Sequence, residues 1–162
     1  MKKYLIIIVI VLLLIGLLIF FLCNKKEKEK IESISSFSFF YTNGYAINTD
    51  TRYEIDCKDK CIAIIKQYGK SEEETIEVEI NDETLNKVID LLNKYDVIKW
   101  DGFSKSDTNV LDGDSFSMHF TYNTDKNVSA SGYMMWPNNY REVEDGLNEI
   151  FNSLVEEQYD RD

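Results

Sequence analysis

The chain has 162 residues with 18 basic and 29 acidic side chains, a formal net charge of −11, and only one Pro and seven Gly. That length suits one folded domain, and 44% hydrophobic with 13% aromatic positions excludes a collagen-like or largely disordered chain. The acidic balance excludes a general nucleic-acid binder, whose phosphate contacts need clustered Lys and Arg, and one His with three Cys is too few for an ordinary His/Cys metal centre.

These averages conceal two unlike parts. Residues 1–3 form a short basic leader, predicted to be a cytoplasmic tail. Residues 4–23, YLIIIVIVLLLIGLLIFFLC, carry no charge, and a helix of that length spans about 30 Å, the hydrocarbon thickness of a bilayer. A cleaved signal peptide has a shorter apolar stretch and a small-residue cleavage site, which Phe20-Phe21-Leu22-Cys23 does not offer. Lipidation at Cys23 would call for Gly, Ala or Ser before it, and Leu22 stands there. Run length therefore favours an uncleaved signal anchor. Lys2 and Lys3 abut the run, whereas Lys25, Lys26, Lys28 and Lys30 beyond it are interleaved with Glu27 and Glu29, so the expected topology is N-inside with the C-terminal part outside. Residues 24–33 are predicted to be a charged, solvated spacer. From Ile31 onward, 12 basic residues face 27 acidic ones, a net charge of −15.

Beyond the spacer the apolar period turns to two. Phe37, Phe39 and Tyr41 alternate with Ser36, Ser38 and Phe40, and Asn43-Gly44 supplies a turn. Tyr53 and Ile55 alternate with Arg52, Glu54 and Asp56, a strand with one face on a core and one in water. Cys57-Lys-Asp-Lys-Cys61 separates it from the next strand, Ile62 to Tyr68. Facing the cysteines across a hairpin sets Ile55 opposite Ala63 and Tyr53 opposite Ile65, so apolar residues meet on one face. That agreement predicts a cross-strand disulfide, which an oxidising compartment permits.

Thr75 to Ile80 alternate again. Asn81-Asp82-Glu83 then has the makings of an N-cap with acidic residues in the first turn, and Leu85, Val88, Ile89 and Leu92 form the stripe of an amphipathic helix ending near Tyr95-Asp96. Val97 to Trp100 lead into a polar loop over 101–114. Phe116, Met118, Phe120 and Tyr122 alternate in a further strand, followed by a five-residue turn, Asn123 to Asn127, and a strand with Val128, Ala130, Gly132 and Met134. This spacing sets Tyr122 opposite Val128, Phe120 by Ala130 and Met118 by Gly132. Pro137 breaks the strand before a last helix whose predicted buried stripe is Tyr140, Val143, Leu147, Ile150 and Leu154, with Gly146 allowing close approach to the sheet. The predicted fold class is α+β over residues 34–158: an antiparallel sheet of about six strands with two amphipathic helices, in the order ββββα-ββα.

Chemistry-bearing residues are sparse. His119 is the only imidazole, on the outer strand face with Ser115, Ser117 and Thr121, and same-face strand neighbours stand about 7 Å apart, too far for a direct Ser–His bond. No catalytic residue is assigned. Asp107, Asp112 and Asp114 invite a calcium reading, but their spacing lacks the pattern and the bidentate Glu of an EF-hand, so a turn before a strand is the simpler account. Glu72, Glu73 and Glu74, with Glu77 and Glu79 beyond, describe an acidic, solvated edge. Trp100 and Trp136 are either core or the aromatic rim of a sugar- or peptide-binding groove.

Trp100-Asp-Gly-Phe103, Leu111-Asp-Gly-Asp-Ser-Phe116, Ala130-Ser-Gly-Tyr133 and Pro137-Asn-Asn-Tyr140 are the most distinctive segments. Together they resemble an uncharacterised group of small membrane-anchored or lipoprotein-like domains from low-GC Gram-positive bacteria, over about residues 34–155. The resemblance implies an extracytoplasmic location and no established activity. The expected function is binding or interaction in a bacterial cell envelope, with an envelope hydrolase or a protective, inhibitor-type module as alternatives. The expected partners are the lipid bilayer, through residues 4–23, and an envelope protein or peptide, with no cofactor.

Overall fold

The computed structural model describes residue 15 and residues 29–44, 50–68 and 73–159. Apart from the helical backbone of Ile15, the predicted anchor, Cys23 and the spacer up to residue 28 lie outside that set, as does Glu72. No helix among the described residues is long and apolar enough to cross a membrane.

The described fold is α+β. Strands β1 (Ile34–Thr42), β2 (Thr51–Cys57), β3 (Cys61–Tyr68), β4 (Glu73–Glu79), β5 (Ser104–Ser106), β6 (Ser115–Tyr122) and β7 (Lys126–Tyr133) make one sheet, in the order β4-β3-β2-β1-β6-β7-β5. Helices α1 (Asp82–Lys94) and α2 (Tyr140–Tyr159) bury their stripes against one face of it, and a 3-10 turn over Val97–Trp100 follows α1. The other face carries Ser36, Ser38, Glu54, Asp56, Ser117, His119 and Ser129, the polar-out alternation of a sheet covered on one side.

The β2–β3 hairpin has the register that its apolar alternation predicts. Ile55 pairs with Ala63, Tyr53 with Ile65, and Cys57 with Cys61. The two cysteines are disulfide-bonded, with Cα atoms 4.0 Å apart, near the close spacing of a non-hydrogen-bonded pair. Helix α1 also begins where its sequence predicts: the Asn81 side chain accepts a hydrogen bond from the Thr84 amide at 2.9 Å, with Asp82 and Glu83 in the first turn.

Several features differ from expectation. The sheet has seven strands and is mixed, because Ser104–Ser106, inside the predicted loop, pairs in parallel with β7. All three residues are exposed, so no apolar alternation marks this short edge strand. The β6–β7 turn is three residues, with Tyr122 opposite Lys126, Phe120 opposite Val128, Met118 opposite Ala130 and Phe116 opposite Gly132. Asn123 and Thr124 take positive φ of 46° and 83°, which tightens the turn by two residues without changing which faces point inward. On α2 the buried stripe includes Phe151, which is fully buried, while Ile150 is only partly covered. A Cβ on Gly146 would come within 2.5 Å of the Leu91 side chain, so this glycine brings α2 close to α1 rather than to the sheet.

Residues 29–33, part of the predicted spacer, pack on the domain. The Asn93 side-chain amide accepts from the Ile31 amide at 2.9 Å and donates to its carbonyl at 2.8 Å, and Ile31 is 2% exposed. Asn123 accepts from the Glu32 amide and donates to the Lys30 carbonyl. One apolar residue among charges carries no periodic signal. Within β1, Ile34 and Phe37 both point inward although they are an odd number of residues apart, because a bulge shifts the register with β6 between Ile34 and Ser36.

Candidate functional site

Aromatic side chains from separate parts of the chain meet where β7 ends and α2 begins. Tyr140, the first residue of α2, stacks on Trp136 with centroids 4.5 Å apart, lies 4.7 Å from Phe116 of β6 and 6.1 Å from Trp100 of the 3-10 turn. The chain reaches this position by reversing after β7 at Met134, whose φ is 53°. Trp100 is buried, and its Nε1 donates to the Asn138 carbonyl at 3.1 Å, tying the 3-10 turn to the segment before α2. Trp136 is half-buried and separates two concavities.

The outer groove has a volume of about 380 Å³ and is lined by Tyr95, Asp96, Lys99, Trp100, Phe103, Lys105 and Trp136, with Pro137 to Asn139 along one side. Lys99 is paired with Asp96 at 3.1 Å, and the Lys105 ammonium sits 5.3 Å from the centroid of the Phe103 ring. Aromatic surface beside Lys105 and the Lys99–Asp96 pair, on a domain of strongly negative charge, suits a partner with apolar and acidic groups.

The inner cavity, about 260 Å³, is lined by Tyr41, Asp114, Met134, Trp136, Tyr140, Arg141 and Glu144. The Tyr41 hydroxyl donates to Asp114 Oδ2 at 3.1 Å, and Asp114 Oδ1 accepts from the Gly44 amide at 3.2 Å. Burial pushes the Tyr140 phenol far above its ordinary range, with Glu144, Tyr41 and Asp114 adding to the effect. Burial, the bond to Asp114 and its charge push Tyr41 up to about 12. Glu144 is raised by burial and by Asp145, against the opposing pull of Arg141. The buried Tyr140 hydroxyl has no hydrogen-bond partner among the described residues.

These tyrosines predict an alkaline limit to stability. Tyr53, buried in the core, is also pushed up to about 12, from an ordinary value of 10.0. A folded-state value above the unfolded one means that the folded state holds its proton more tightly. The resulting stabilisation is complete below 10 and is lost as pH rises through 10 toward 12 for Tyr41 and Tyr53. Resistance to urea denaturation should therefore fall steadily across that interval, with part of the tyrosinate absorbance appearing only on unfolding. Ionisation of all ten tyrosines near pH 10 in a chain that stays folded would contradict this.

The structure disperses most of the predicted chemistry. His119 is exposed on the outer face, opposite Ser38 and Ser129 in register and away from the aromatic cluster. Asp107 accepts bonds from the Asn109 amide and side chain, Asp112 is exposed, and Asp114 turns to Tyr41 and Gly44. No group of three His, Cys, Asp or Glu that could hold a metal occurs among the described residues. Of the two tryptophans, Trp100 is core and Trp136 is rim. No motif in the sequence marks Tyr41, Arg141 or Glu144 as a site residue, and Tyr140 stands out only as part of the buried stripe and of the Pro137-Asn-Asn-Tyr140 segment. The spacing of Tyr140, Arg141 and Glu144 does place them on one side of α2 near its start. No protein-family model and no curated protein matches this chain.

Proposed function

We propose that this protein is a membrane-anchored binding domain that works outside the cytoplasm in a bacterial cell envelope, and that the outer groove beside Trp136 receives a segment of an envelope protein or peptide. The groove carries this reading: it is open, aromatic, and bordered by Lys105 and the Lys99–Asp96 pair on an otherwise acidic domain. Such a surface fits a peptide with apolar anchors and an acidic flank. The uncharged run over 4–23 supports the anchor, the Cys57–Cys61 disulfide supports an oxidising location, and the resemblance of the Trp100, Leu111, Ala130 and Pro137 segments to small membrane-anchored domains agrees with both.

Two measurements test the proposal in intact cells. An impermeant maleimide should leave Cys57 and Cys61 unlabelled until a reductant is added, and then label them without lysis; labelling only after lysis would refute the outside location. A photo-crosslinking residue placed at Lys105 should form a discrete adduct that is absent with the same residue at Glu77 of β4 and lost with Trp136→Ala. An identical pattern from both positions would refute the groove as the binding face.

A further inference from the structure

We propose that a partner peptide adds a strand to the open edge of β5, pairing with the backbone of Ser104 and Ser106 while every second side chain of the added strand enters the outer groove. The inference rests on the reading of that groove as a peptide site and says how the peptide is held. The first observation is an unfilled ladder. Strand β5 ends the sheet, and its parallel pairing with β7 uses alternate residues. The Phe103 carbonyl accepts from the Ser131 amide at 2.8 Å, the Asp107 amide donates to the Tyr133 carbonyl at 2.9 Å, and Lys105 pairs between them. The N–H and C=O groups of Ser104 and Ser106 therefore point the other way, off the sheet. Both residues are exposed, so their backbones present donors and acceptors to an extended chain.

The second observation is which face of that edge the groove occupies. Register sets Lys105 beside Gly132, and Ser104 and Ser106 beside Ser131 and Tyr133. Gly132 shares its strand face with Val128 and Ala130, which are buried under the helices, so Phe103 and Lys105 stand on the helix side, where both line the outer groove with Trp136. A strand laid along β5 alternates in the same way: its residue opposite Lys105 projects into the groove, and those opposite Ser104 and Ser106 project on the polar side. Charge then selects the partner. The Lys105 ammonium lies over the Phe103 ring, and no carboxylate pairs with it among the described residues. An acidic side chain opposite Lys105 meets that charge, and an apolar one two residues along lies level with Phe103. The far edge of the sheet repels such a strand, because β4 presents the exposed Glu77 and Glu79. A second copy of the chain fits poorly: β5 centred on β5 opposes Lys105 to itself.

Full-length, ¹⁵N-labelled protein in maltoside micelles would be titrated with the peptides acetyl-Thr-X-Thr-Glu-Thr-X-Thr-amide, X being Leu, Phe or Trp, which alternate as the edge and the groove require. At least one should give saturable shifts of the Ser104 and Ser106 amides and of the Trp136 indole N–H, leaving the β4 amides unmoved. Two N-methylated forms of that peptide carry the decision. Ladder bonds use every second residue, so methylating the Glu nitrogen and methylating the next Thr nitrogen should act unequally, one weakening binding by about tenfold or more and the other little. The sensitive nitrogen tells whether the added strand runs parallel or antiparallel. Replacing the peptide's Glu by Lys should weaken binding by about tenfold, and so should Ser106→Pro, which removes an N–H that β7 does not use. If Trp136 responds while the Ser104 and Ser106 amides stay in place, or if the two methylated forms bind alike, the edge proposal falls and the groove reading stands. Amide shifts with alternating sensitivity but a silent Trp136 keep the edge pairing and refute the groove. No saturable shift with any of the three peptides overturns the proposal, without needing any variant to fold.

Discussion

Phe151→Ala lowers the unfolding free energy by about 3–5 kcal/mol, the range for truncating a buried aromatic side chain. Phe151 has no exposed surface and stacks nearly parallel on Tyr53, with centroids 4.3 Å apart and planes 6° from each other. It also lies 6.4 Å from Phe37. One ring of α2 therefore fills the space over β1 and β2, at the middle of the sheet, where the surrounding chain is least free to close a cavity. A hydrogen bond of 2.8 Å from the Tyr53 hydroxyl to Asn148 holds α2 one turn away and further limits collapse. Against a typical total of about 5–15 kcal/mol, such a loss leaves the domain marginal. Urea denaturation of the full chain, followed by circular dichroism, measures it. Ile150→Ala, at a partly covered position, is the control and should cost distinctly less. A greater loss at Ile150 than at Phe151 would mean that a different face of α2 meets the sheet.

The same two residues show where sequence reasoning loses resolution. Apolar spacing of three or four is equally helical, so Ile150 and Phe151 both fit a stripe through Leu147 and Leu154, and only the tertiary partner Tyr53 decides between them. The β2–β3 register was legible because two alternating strands and a cysteine pair constrain one another. The β6–β7 register slipped by two because nothing in the spacing says that Asn123 and Thr124 adopt positive φ. Strand β5 was invisible, since Ser-Lys-Ser at an edge buries nothing. The aromatic rim was half legible: Trp136 and Trp100 stood out as residue types, but which one is wet depends on how the chain turns after β7. The inner cavity was illegible, because it forms only where Tyr41 of β1, the reversal after β7 and the start of α2 come together.

Gly132→Ala should destabilise the domain by about 1–3 kcal/mol or more, and should displace Trp136 as it does so. On β7 a Cβ at this position would stand 2.0 Å from the Met135 carbonyl oxygen and 2.6 Å from a Phe116 ring atom. The ring has some freedom to rotate away; the carbonyl belongs to the backbone that folds back over β7 and carries Trp136. Relief therefore requires moving residues 134–136, where Met134 already occupies the left-handed region and its amide donates to the Asp114 carbonyl at 2.9 Å. Displacing that segment shifts a wall shared by both concavities, so the variant should alter Trp136 fluorescence as well as stability. Gly102→Ala provides the contrast. Gly102 has a φ of 73° with nothing within 4 Å of its would-be Cβ, so that substitution meets only backbone strain of roughly 1–2 kcal/mol and leaves Trp136 in place. If Gly132→Ala left the Trp136 emission unchanged and cost no more than Gly102→Ala, the close packing of the reversal on β7 would be disproved.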